Sequence, residues 1–219
     1  MRSEKVRKLV TLAILSAMAY IVMVFIRIPV VLFLKYEPKD VIIAIGGFLF
    51  GPLSALAMSV VVALVEMVTV SETGIYGAIM NALSSCTFAC TAAFVYKKWH
   101  KLPGAATGLV CGIVITVPVM LLWNYLIVPI YTSYITREAV IPMLASVFLP
   151  FNLLKYGLSA AITMLLYKPV RAALSKSQLL PAAPAPAAAK AKVNIGVILV
   201  SALVIITCVL LILSWQGII

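Results

Sequence analysis

Asn81, Asn124, Asn152, Lys155 and Asp40 lie inside long apolar runs or at their mouths. A polar side chain at membrane depth is costly, which makes it a functional candidate by default. An asparagine amide offers a matched donor and acceptor. Asn152 and Lys155 are three residues apart, and so share a helix face. A buried ammonium needs a carboxylate, a carbonyl or a ligand oxygen. Asp40 and Glu37, at the mouth of the second helix, are the expected partners, and Pro150 releases the Ser146 carbonyl as a further acceptor. A lone buried asparagine reads as interhelical glue. Four segments contributing polar groups at one depth tip the reading toward a ligand pocket. Glu66 reads as a structural or interfacial carboxylate rather than a proton relay, because no second intramembrane acid accompanies it.

Other chemistries find little support. The chain contains no P-loop, no HExxH and no GxSxG. It therefore reads as no enzyme and as no ATPase in its own right. Cys86 and Cys90 share a helix face, but no nearby histidine or carboxylate completes a metal site, and small packing residues are the simpler reading. His100, in the basic stretch KKWHK, reads as solvated.

The elements that must position these residues are membrane helices. The 219-residue chain is 64% hydrophobic and 11% charged, with a mean hydropathy of +1.18. That composition leaves almost no room for a soluble domain. The net charge of +11 gathers at the ends of apolar runs, the pattern of cytoplasmic loops rather than of nucleic-acid binding. The N-terminus imitates a signal peptide down to Ala17-x-Ala19, yet the apolar run continues, which predicts an uncleaved first helix over 9–34 with its N-terminus cytoplasmic. Arg27 is expected to snorkel at its outer end, and Pro29 to kink or re-aim it.

The stretch LKYEPKDVIIAIGGFLFGPL decides the topology. Its ten apolar or small residues at 41–50 rise roughly 15 Å as a helix, half of a roughly 30 Å hydrocarbon core. If 41–70 were one helix, both basic clusters, Lys97–Lys101 and Lys168–Lys176, would face outside. A break at Gly51-Pro52 puts both inside. The expected helices are therefore 9–34, 41–50, 53–70, 75–96, 105–127 and 143–167. A turn is expected at Ser71-Glu72-Thr73-Gly74. A long outer loop is expected over 129–142, carrying Tyr131, Tyr134, Arg137 and Glu138. Residues 176–193 read as a Pro/Ala linker, and 194–219 as an appended seventh helix that ends outside by parity. No internal repeat is visible, which counts against an inverted-repeat secondary transporter.

Three stretches carry a resemblance: FLKYEPKDVIIAIGGFLFGPLSAL, GIYGAIMNALSS and PFNLLKYGLSA. They resemble the riboflavin-binding S components of energy-coupling factor (ECF) transporters, over residues 1–175. The resemblance implies an all-α membrane fold, a six-helix S-component bundle, here with one additional C-terminal helix. It implies riboflavin, with FMN as a further candidate, as transported ligand rather than catalytic cofactor. The implied partners are a transmembrane coupling subunit and two cytoplasmic ATPases, in a bacterial plasma membrane. Carried over by position, Asp40, Asn81, Asn124, Asn152 and Lys155 are the polar contacts, and Gly77 lets the flat ring approach backbone. Ala13 and Ala17 match the family's AxxxA contact to the coupling subunit. Leu34, Tyr36, Tyr76 and Trp123 are candidate ring walls, since aromatic and aliphatic side chains bury a flat tricycle. An S component for another vitamin such as thiamine, a stand-alone transporter and a membrane scaffold remain as alternatives.

Overall fold

Four basic residues precede the first apolar run, which forms α1 (Arg2–Phe25) in the computed structural model. The structure describes residues 2–71, 73–132, 135–177, 179 and 195–218. The helix stops at Phe25 rather than at Leu34. Pro29 cannot continue the backbone ladder, and it biases the residue before it toward extended conformations. The β-branched and aromatic stretch that follows forms a hairpin instead, β1 (Ile28–Val31) and β2 (Leu34–Tyr36). The strands are antiparallel, with Ile28 opposite Tyr36 and Val31 opposite Leu34. Leu32 turns the corner in the left-handed region, at a φ of 51°. A two-stranded hairpin is marginal by itself. Val30, Leu34 and Tyr36 are therefore buried in an apolar cluster with Phe148, Phe151, Leu154 and Leu158.

The break at Gly51-Pro52 is present. α2 (Lys39–Phe50) ends at Gly51, whose φ of 92° suits a residue without Cβ, and Pro52 opens α3 (Pro52–Thr69) with its φ already set. α2 starts two residues before the expected Val41, so Lys39 and Asp40 are helical and buried. The helix has 12 residues, about 18 Å of rise. It packs against α1, α3, α4 (Gly74–Lys98) and α7 (Leu149–Lys176). Irregular or charged backbone at membrane depth is tolerated only with protein cover of this kind.

α4 lies closest to α5 (Leu102–Tyr131). A Cβ on Gly108 would meet the Ala92 carbonyl oxygen at 2.6 Å, and one on Gly112 the Phe88 carbonyl oxygen at 2.9 Å. Small residues allow this approach of two membrane helices. The expected loop over 129–142 is much shorter. α5 runs to Tyr131, and α6 (Arg137–Met143) begins after Thr136, whose hydroxyl accepts the Ala139 N–H at 3.3 Å. A π-helical turn, Leu144–Phe148, joins α6 to α7. Pro150 follows directly on this π-helical turn, inside a helical stretch that runs unbroken from Arg137 to Lys176. The expected Glu72 and Tyr134, and nearly all of the linker over 176–193, lie outside the described residues. α8 (Ile195–Trp215) closes the order and packs on α7.

Among the described residues, six helices are long and apolar enough to cross a membrane, and α2 is not one of them. The chain is an all-α membrane protein whose hairpin caps one end of the bundle.

Candidate functional site

A cleft opens at the hairpin end, between the hairpin and helices α3, α4, α5 and α7. It holds ≈ 760 Å³ of space, with the solvent at its open mouth included. Phe33, Leu34, Met80, Met120 and Phe151 supply apolar wall. Asn81 from α4, Asn124 from α5, and Asn152 and Lys155 from α7 supply polar groups. These four, with Leu34, are the expected site residues that line the cleft directly.

The orientations of two amides follow from chemistry. Asn81 Nδ2 donates to Glu66 Oε1 at 2.9 Å, and a carboxylate only accepts. Asn152 Nδ2 donates to the Phe148 carbonyl at 2.7 Å, where the π-helical turn gives way to α7. Both nitrogens are thus engaged, and both carbonyl oxygens are left as acceptors. Asn124 is buried, and its Oδ1 has no hydrogen-bond partner among the described residues. A buried acceptor in that condition is costly unless something else satisfies it.

Lys155 and Asp40 form a pair in the structure, with Nζ 3.7 Å from Oδ2. That is a charge contact but too long for a hydrogen bond. The other Asp40 oxygen accepts from Ser85, and Oδ2 has no hydrogen-bond partner among the described residues. Asp40 is completely buried, below the cleft rather than on its wall. Lys155 therefore stands between its counter-ion and the cleft.

Glu37 and Glu66 belong to a ring that sequence reasoning missed. Arg27 Nε reaches Glu37 Oε1 at 2.8 Å and Arg27 Nη2 reaches Glu66 Oε1 at 3.0 Å. Lys39 Nζ reaches Glu37 Oε2 at 2.7 Å and Glu66 Oε2 at 2.5 Å. Each carboxylate binds both cations, so the ring closes. Arg27 does not snorkel from a helix end as expected. The helix has already stopped, and the side chain turns onto two carboxylates and the Val70 carbonyl, 3.2 Å away. Glu66 is the structural carboxylate that was expected, with a second task in fixing Asn81. The missed signal was charge arithmetic: two buried acids near one end of the bundle require cations, and Lys39, two residues from Glu37, and Arg27, beyond the end of α1, supply them.

The same cluster shifts the Glu37 titration. Burial pushes its carboxyl up, but Lys39, Lys155 and Arg27 outweigh burial and hold it below the ordinary 4.5. Burial raises the neighbouring Tyr36 phenol to about 12, so it remains neutral. Its hydroxyl is buried with no hydrogen-bond partner among the described residues.

The remaining expected residues stand off the lining. Tyr36 packs behind Leu34, and Trp123 lies on α5 beside Asn124, its Nε1 buried without a hydrogen-bond partner among the described residues. Tyr76 is 39% exposed. Gly77 stands off the lining beside Thr73, whose hydroxyl occupies the place a Cβ would take, and Thr73 itself lines the cleft. Ala13 and Ala17 share an exposed face of α1, away from the cleft.

The family model for the substrate-specific component of ECF transporters matches residues 7–167. Riboflavin transporter FmnP of Bacillus subtilis (strain 168) is 29% identical over 163 residues, covering 69% of this chain and 85% of that protein. Riboflavin transporter RibU of Staphylococcus aureus (strain TCH60) is 26% identical over 170 residues, covering 74% and 89%. The solved structure of the S component of a bacterial ECF transporter aligns with a TM-score of 0.65 at 26% identity, covering 78% of this chain and 98% of that one. The match spans α1 to most of α7 and takes in every residue that lines the cleft, so this chain belongs to the family of ECF transporter substrate-specific components.

Proposed function

We propose that this chain is the riboflavin-binding subunit of an ECF-type importer. The observation that carries the reading is the meeting of three asparagine amides and Lys155 in one cleft that also has apolar wall. Riboflavin has a flat tricycle whose polar edge alternates N–H and C=O, and a polyhydroxyl tail. The Asn81, Asn124 and Asn152 oxygens suit its N–H and hydroxyl donors, and Lys155 suits a ring carbonyl. Phe33, Leu34, Met80, Met120 and Phe151 suit its faces. The six ring and pair charges cancel: Arg27, Lys39 and Lys155 against Glu37, Glu66 and Asp40. That balance favours an uncharged ligand over one that carries a phosphate, as FMN does. The names of FmnP and RibU point the same way.

The hairpin end faces the cell exterior, because this orientation keeps the basic clusters at Lys97–Lys101 and Lys168–Lys176 cytoplasmic. Gln216, just past the end of α8, bonds to the hairpin, so the last described residues lie at that exterior end too. The vitamin is captured from outside. A transmembrane coupling subunit docks on the exposed Ala13/Ala17 face of α1, and two ATPases supply the energy that reorients the bundle and releases ligand inward.

Titration of the purified protein by flavin fluorescence quenching tests the reading. Riboflavin is expected to bind, FMN more weakly, and thiamine not at all. Asn152→Ala and Lys155→Met should each weaken riboflavin by about 10- to 100-fold, the loss of one hydrogen bond worth about 1.5–3 kcal/mol at a charged or buried site. Absence of flavin binding, or binding unchanged in both variants, rules the assignment out.

A further inference from the structure

α8 lies beyond the residues that match the family, yet it does not stand apart from the cleft. We propose that α8 is a clamp that holds the β1–β2 hairpin over the cleft and so sets how fast ligand enters and leaves. Cys208 and Ile212, one turn apart, are buried in the apolar cluster that also contains Val30, Leu34 and Tyr36 of the hairpin. The Cys208 thiol faces the Leu154 carbonyl at 4.0 Å, which fixes the helix against α7. One turn beyond Ile212, Gln216 Nε2 donates to the Pro29 carbonyl of β1 at 2.7 Å. The opposite face, with Leu199, Leu203, Ile206 and Leu210, is exposed as a lipid-facing surface should be.

The hairpin is thus held from two sides. Phe33, Leu34 and Lys35 line the cleft. Pro29 and Val30 carry the contacts to α8. A hairpin of strands this short has little stability of its own, and segments with few buried contacts open most readily. α8 adds buried contacts and a backbone anchor to the strand that is not on the cleft wall. Its contacts run to β1 of the hairpin and to α7. Gln216 and Ile212 are positioning residues in this sense.

Hydrogen exchange of the full-length protein, read peptide by peptide, tests the clamp without any ligand. Ile212→Ala and Gln216→Glu should speed exchange of the hairpin amides several-fold. Gln216→Lys, which keeps a donor, should stay near the parent. Gln216 is exposed, so its variants leave the fold intact. The kinetic arm rests on the riboflavin reading above. In the same two variants, stopped-flow dissociation of riboflavin should quicken several-fold, with association quickened as well and the fraction of binding-competent protein unchanged. Hairpin exchange identical to the parent in both variants overturns the proposal. So does faster exchange with an unaltered dissociation rate, which would make α8 merely structural. If the parent binds no riboflavin, the function assignment falls, and the exchange measurement alone decides the clamp.

Discussion

Glu37 and Glu66 each grip Arg27 and Lys39 at once, and the resulting ring ties together the end of α1, the segment before α2, the start of α2 and the end of α3. Removing one member of a buried ion cluster leaves the others uncompensated, at a cost on the order of 3 kcal/mol. The ring also carries a pH dependence of definite sign. The Glu37 carboxyl titrates below its ordinary 4.5 in the folded protein. Its stabilising contribution is therefore complete above 4.5 and is lost as pH falls through the lower folded value. Thermal melting of the parent against Glu37→Gln should show a constant gap above that pH and a closing gap below it. A gap that persists into strong acid would mean that Glu37 is not held by these cations.

At the scale of elements, the α4–α5 seam is the least forgiving contact. Gly108 faces backbone, the Ala92 carbonyl oxygen, which cannot rotate aside as a side chain could. Gly108→Val should force the helices apart and cost about 1–3 kcal/mol, seen as earlier heat-induced loss of the monodisperse peak in size-exclusion chromatography. Equal melting would show that the seam relaxes. Glycine and proline made some elements legible from sequence: Gly51-Pro52 was read as a break, and a break is there. The hairpin was not legible. Ile28 to Tyr36 continues an apolar run, and hydropathy does not separate strand from helix over so few residues. The extent of α5 and α6 was misjudged because Pro129 and Pro142 read as helix breakers, whereas both are accommodated inside helices. Within the site, the asparagines and Lys155 were legible because polarity is conspicuous in apolar runs. The ring was not, since Arg27, the Glu37–Lys39 pair and Glu66 lie apart in sequence and meet only when α1, α2 and α3 fold together.

For the whole molecule, the orientation in the bilayer is the claim with most reach. Direct labelling decides it. A cysteine introduced at His100, in a background with the native cysteines replaced, should react with a membrane-impermeant maleimide only after the cells are opened. Reaction in intact cells would invert the bundle and turn the cleft toward the cytoplasm. The charge pattern that argues for this orientation is spread over the whole chain.

The shortness of α2 has a consequence for how the protein is made. Twelve residues that begin with Lys39 and Asp40 fall well below the roughly 20 apolar residues that a translocon hands to lipid as a free-standing segment. α2 is therefore expected to enter the bilayer as a passenger, under cover of the helices that pack on it in the folded bundle.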